Sequence, residues 1–267
     1  MECQKRHNDR SRINIDCSHV ETGYYKDTVY CPDEDTYLFT EALQMDVKHL
    51  INQQINVVLE IGCGSGYIST YLLKLLEELK HGNAKEFYNQ TDTNDINSRK
   101  GTNELNPFVI AIDVNPFANR ATWTTMQRNG VTAMADTITM DMFTALNKQR
   151  SRTMVDVIMF NPPYVPSEGG DNSNKHIDAA WDGGVMGREV IDRFIADVGV
   201  GLNACCSTKS DVQEYLSQEG TVYLLVEKRN DINTVLKIVH QRGFDAKVIC
   251  SKQILGECLY IIRFCRS

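Results

Sequence analysis

The sequence predicts an α/β protein built on a mostly parallel sheet. Short apolar runs recur between helix-like segments, and a glycine-rich turn follows the first of them. The runs Val57 to Ile61, Phe108 to Ile112, Val155 to Phe160 and Thr221 to Val226 have the length and composition of strands covered on both faces. Alternation of such strands with helical segments defines the class.

Taken in order, residues 1–28 read as an N-terminal extension and 29–267 as a single domain. Glu34 to Leu50 reads as an amphipathic helix. Tyr67 to Leu79 places Leu72, Leu73, Leu75, Leu76 and Leu79 at helical spacing after the first strand. Asn115 to Asn129 is a helix with Pro116 in its first turn. Thr137 to Met140 is a short strand candidate. Ile232 to Arg242 is a helix stopped by Gly243, and Lys247 to Cys250 and Leu259 to Phe264 form an antiparallel pair at the sheet edge around a turn containing Gly256. Two polar stretches, near 80–106 and 203–219, lack aliphatic periodicity and read as surface insertions.

The chain has 267 residues, 42% apolar and 24% charged, and no apolar run approaches the roughly 20 residues of a membrane-spanning helix. The charged N-terminus lacks the hydrophobic stretch of a secretory signal. Nine scattered cysteines, never spaced Cys-x-x-Cys, suit a reducing compartment, the cytoplasm or also the nucleus. The six histidines form no ligand spacing, so no metal site is expected. A formal charge of −7 weighs against a nucleic-acid partner, because phosphate binding calls for a basic face.

After the first strand comes Glu60-Ile61-Gly62-Cys63-Gly64-Ser65-Gly66. Glycines permit a sharp turn and close approach of a ligand, and the next helix offers free N–H groups, which makes Gly62, Gly64 and Gly66 cofactor candidates. The spacing Gly-x-Gly-x-Gly departs from the dinucleotide fingerprint, since Tyr67 stands where its third glycine belongs. A tight βα turn is the alternative. Asp113, at the tip of the next strand, can accept both hydroxyls of a ribose or can cap the helix that follows, a role for which Asn115 competes. Asp141 and the backbone of Met142 suit an adenine amine and ring nitrogen, although Asp141 could equally be a cap.

Phe160-Asn161-Pro162-Pro163-Tyr164 directly follows a buried strand. Two prolines stiffen the loop and push Asn161 out of helical geometry. The Asn161 side-chain oxygen and the Pro162 carbonyl can accept the two hydrogens of a planar NH2 group, with the Tyr164 ring packed on its face. Such a loop can orient a planar nitrogen, itself a weak nucleophile, for attack on an electrophile.

These residues resemble the HemK-like glutamine methyltransferases, most of all the eukaryotic and archaeal branch that modifies the class 1 translation release factor. The resemblance runs through Tyr30-Cys31-Pro32-Asp33-Glu34-Asp35-Thr36, the glycine turn, Asp113-Val114-Asn115-Pro116, the Asn161 loop, Ala179-Ala180-Trp181-Asp182-Gly183-Gly184 and Gly187 to Phe194. It implies a seven-stranded class I methyltransferase sheet, with Thr36, Glu60, Gly62, Asp113, Asp141 and Met142 around S-adenosylmethionine and Asn161 on the substrate. It further implies a glutamine in a Gly-Gly-Gln loop as methyl acceptor and a small zinc-binding activator subunit as partner. Thr36 could instead cap its helix, and Trp181 is either a substrate anchor or a packed aromatic. The rival readings are a DNA adenine methyltransferase, a nicotinamide oxidoreductase, and a silent binding module or heterodimer scaffold on the same fold.

Overall fold

The computed structural model describes residues 13–80, 106–144, 155–167, 182–198 and 215–267. The polar stretch 81–105, residues 203–214 and Trp181 therefore lie outside the described residues. Seven strands form one sheet: β1 (Val57–Ile61), β2 (Phe108–Asp113), β3 (Ala135–Thr139), β4 (Val155–Phe160), β5 (Leu216–Glu227), β6 (Phe244–Ile254) and β7 (Glu257–Arg266). Their order across the sheet is β3-β2-β1-β4-β5-β7-β6. All pairings from β3 to β5 are parallel, whereas β7 runs antiparallel to both β5 and β6. The order reverses between β1 and β4, where an open α/β sheet leaves a crevice beyond its strand ends.

Six helices are described: α1 (Glu34–Met45), α2 (Val47–Asn52), α3 (Tyr67–Lys80), α4 (Pro116–Arg128), α5 (Glu189–Val198) and α6 (Ile232–Gln241). Two apolar clusters sandwich the sheet. Val58, Val157 and Met159 face Leu38, Leu43 and Leu72 on one side, and Leu59, Ile158 and Phe160 face Ile191, Phe194 and Val235 on the other. Burial on both faces explains why β1 and β4 are mostly apolar, each with a single acidic residue, Glu60 and Asp156. Their burial stabilises the sheet in proportion to the area removed from water.

Several expectations need correction. The segment Glu34 to Leu50 is two helices broken at Asp46, whose carboxylate accepts hydrogen bonds from Tyr223 (2.8 Å) and Arg263 (2.6 and 2.8 Å) on β5 and β7. Tertiary pairing there overrides a continuous helical pattern. Strand β5 begins at Leu216, inside the second polar stretch, because Leu216 is fully buried and pairs with Val155. Within the N-terminal extension, Ile13, Ile15 and Cys17 are buried in the main core. Among the described residues, no helix is long and apolar enough to cross a membrane.

Candidate functional site

The strand ends at the β1–β4 reversal open onto one cleft, lined among others by Thr36, Glu60, Gly62, Gly64, Asp113, Asp141, Met142, Asn161 and Pro162. Nine of the positions singled out in the sequence thus come together, although they span more than a hundred residues. Two others do not line it. Gly66 (φ +76°) faces α4, where an added Cβ would lie 2.7 Å from the Thr122 Cα. Its glycine serves close packing of two helices. Tyr164 is partly buried between the two cores, its hydroxyl directed at Glu257 (3.5 Å), so its ring is not presented to the cleft.

The glycine turn is built from left-handed residues, Gly62 at φ +66° and Gly64 at +51°, a region that favours glycine. A Cβ at Gly62 would stand 3.5 Å from the Phe160 ring and 3.8 Å from the Asn161 carbonyl, filling the space between turn and loop. The Gly64 N–H donates to Asp113 Oδ2 (3.0 Å) and the Asn115 N–H to Oδ1 (2.8 Å), which aims the carboxylate across the turn. Asn115, not Asp113, caps α4, accepting from the Phe117 N–H at 3.0 Å. Burial pushes the Asp113 carboxyl up, and the N–H groups of Asn115, Gly64 and Val114 oppose it.

Glu60 is fully buried at the end of β1 and accepts from both the Ser69 N–H (3.1 Å) and the Ser69 hydroxyl on Oε2. Loss of water pushes its carboxyl up to about 8, against the pull of the Ser69 bonds. A carboxyl so placed gains by meeting a cation. Asp141 is held by Arg193 in a bidentate pair at 2.6 and 3.1 Å, and the buried Met142 beside it has φ +45°. Asp33 caps α1, which leaves Thr36 inside the first turn, buried and facing the cleft.

Asn161, directly after β4, lines the cleft. Its Nδ2 donates to Asp35 Oδ2 at 3.1 Å, while its Oδ1 is buried without a hydrogen-bond partner. A buried amide oxygen left unpaired is unfavourable by about 1–3 kcal/mol, and such an atom at a cleft marks where a donor belongs. Beyond Asn161 the loop is fastened by Asn230, whose Nδ2 donates to the carbonyls of Tyr164 (2.8 Å) and Met186 (2.9 Å).

Sequence reasoning missed Tyr30, Asp35, Val114 and Arg193 as cleft residues. Tyr30 and Asp35 belong to the stretch that carries the resemblance, immediately ahead of Thr36, and that proximity was the available signal.

The glycine cradle, the three carboxylates Glu60, Asp113 and Asp141, and the orphan amide oxygen fit S-adenosylmethionine beside an NH2 donor. Thr36, Glu60, Gly62, Asp113, Asp141 and Met142 would hold it. No protein-family model matches the chain. The human protein named methyltransferase HEMK2 is 30% identical over 249 residues, covering 93% of this chain and 94% of the relative. The eRF1 methyltransferase catalytic subunit mtq2 of Schizosaccharomyces pombe is 27% identical over 243 residues, with 89% of each covered. Among solved structures, the 16S rRNA N2 G1207 methyltransferase RsmC of T. thermophilus, in complex with AdoMet and guanosine, shares the fold at a TM-score of 0.50 and 13% identity, over 89% of this chain and 44% of that one. The chain belongs to the HemK-like methyltransferases, enzymes that transfer a methyl group from S-adenosylmethionine.

Proposed function

We propose that this enzyme methylates the side-chain amide nitrogen of a glutamine in the Gly-Gly-Gln loop of a class 1 translation release factor. The observation that carries the reading is the buried, unpartnered Asn161 Oδ1 at the edge of the cleft. An amide or amine NH2 is the donor that such an oxygen selects, and the Pro162 carbonyl offers a second acceptor for its other hydrogen. When bound, S-adenosylmethionine supplies the electrophilic methyl group on its sulfonium. Asn161 and Pro162 hold the acceptor nitrogen by its two hydrogens, so that its electron pair can be aligned with the methyl carbon. Asn161 and Pro162 would hold the nitrogen throughout, and one of its two protons would pass to solvent water once the nitrogen has taken up the methyl group that the cofactor would supply. An amide nitrogen is a weak nucleophile, and orientation of this kind can contribute on the order of 7–11 kcal/mol at best.

The choice of a protein acceptor is supported by the formal charge of −7 and by the name of the fission yeast relative. That name, a catalytic subunit, also supports a second subunit, and the resemblance implies a small zinc-binding activator. The scattered cysteines, never spaced Cys-x-x-Cys, support a cytoplasmic or nuclear setting. Asn161→Ala tests the site. Turnover should be abolished while calorimetry finds cofactor affinity nearly intact, and near-native turnover would make the loop structural.

A further inference from the structure

Resting on the assignment of Asn161 above, we propose that Asp35 is a positioning residue that sets the polarity of the Asn161 amide, holding its NH2 away from the methyl acceptor so that only the oxygen faces it. An asparagine amide is nearly symmetric in shape, and rotation by half a turn exchanges its donor and acceptor ends. In the flipped state Asn161 would present NH2 to NH2 and reject the acceptor. Nothing in the Asn161 loop itself prevents this.

Asp35 does. Its side chain is 4% exposed, and four donors converge on the carboxylate. The Thr36 N–H (2.6 Å), the Thr36 hydroxyl (3.2 Å) and the Tyr30 hydroxyl (3.2 Å) donate to Oδ1, and Asn161 Nδ2 donates to Oδ2 (3.1 Å). A carboxylate accepts only, so it admits the NH2 end of Asn161 and repels the oxygen. The contact joins residues 126 apart in sequence, linking the first turn of α1 to the loop after β4.

The test is a swap of polarity. Asp35→Asn keeps the shape and leaves an oxygen for the Thr36 and Tyr30 donors, but turns an NH2 toward Asn161 and so favours the flipped amide. Its turnover should fall roughly hundredfold, as expected for a misplaced reacting pair, with unfolding temperature and cofactor affinity retained. Adding Asn161→Asp to that variant restores an acceptor on both sides, toward the new amide at position 35 and toward the cleft, and should raise turnover well above that of Asp35→Asn alone. A purely structural role for Asp35 predicts no such rescue. Near-native turnover in Asp35→Asn, or a double variant no better than the single one, overturns the proposal.

A second readout needs neither variant nor substrate. In the unliganded native protein, NMR should show one Asn161 Nδ2 proton shifted downfield and slow to exchange through its bond to the carboxylate. Two solvent-like, rapidly exchanging protons would overturn the orientation. This spectrum is independent of which molecule accepts the methyl group, so a failure of the substrate assignment leaves it standing.

Discussion

Glu60 ties cofactor affinity to pH in a way that can be worked out from its surroundings. The carboxyl is 2% exposed, and burial pushes it up to about 8, so in the unliganded protein it is mostly protonated at neutral pH. In the proposed site it meets the positively charged end of S-adenosylmethionine, which favours the ionised form. Binding then requires loss of a proton, and affinity must rise with pH below that value. Between pH 6 and pH 7 the ionised fraction grows about ninefold, equivalent to about 1.3 kcal/mol of binding free energy. Isothermal calorimetry in buffers of different ionisation enthalpy should register release of about one proton at pH 6. Glu60→Gln should abolish both the pH dependence and the proton release. Affinity that stays flat from pH 6 to pH 7 in the native protein, with no proton exchanged, would refute the reasoning. Stability of the unliganded fold runs the other way. A carboxyl whose folded value lies above its unfolded one binds its proton more tightly in the fold, so its contribution is full below the ordinary 4.5 and is lost as pH rises through about 8.

Gly66→Ala would force a left-handed backbone on a residue with a Cβ and drive that Cβ into Thr122; together these should destabilise the protein by about 2–5 kcal/mol, read as a lower urea midpoint at unchanged slope. A stability change below about 0.5 kcal/mol would contradict the packing role. Asp113→Ala should weaken cofactor binding by about 1.5–3 kcal/mol and free the Gly64 N–H, with calorimetric affinity as the check; unchanged affinity would remove Asp113 from the site.

The strands buried on both faces were legible because apolar residues dominate them, with one acidic residue each: β1 and β4 coincide with the runs read from the chain. Edges were harder. In β3 only Ala135 is buried and Asp136, Ile138 and Thr139 are exposed, so period and apolarity both fade, and the strand lies two residues ahead of where Thr137 to Met140 placed its start. β6 extends well beyond Lys247 to Cys250 because an exposed strand at the sheet edge needs backbone pairing with β7 more than apolar side chains. In the site, carboxylates at strand tips and the glycine turn were readable from local spacing. Asp35 was not. Its role comes from a contact with Asn161 across 126 residues, and in isolation it is only an acidic residue in the first turn of a helix. Arg193 was hidden in the same way, since its partner Asp141 lies 52 residues away.

Mass spectrometry of a class 1 release factor, incubated with S-adenosylmethionine, this enzyme and its co-expressed small subunit, tests the central claim most directly. The expected result is one methyl group on the glutamine of the Gly-Gly-Gln loop, absent from the Gln→Ala release factor and absent when the enzyme carries Asn161→Ala. Equal labelling of the Gln→Ala release factor, or faster labelling of adenine-containing DNA in the same mixture, would contradict it.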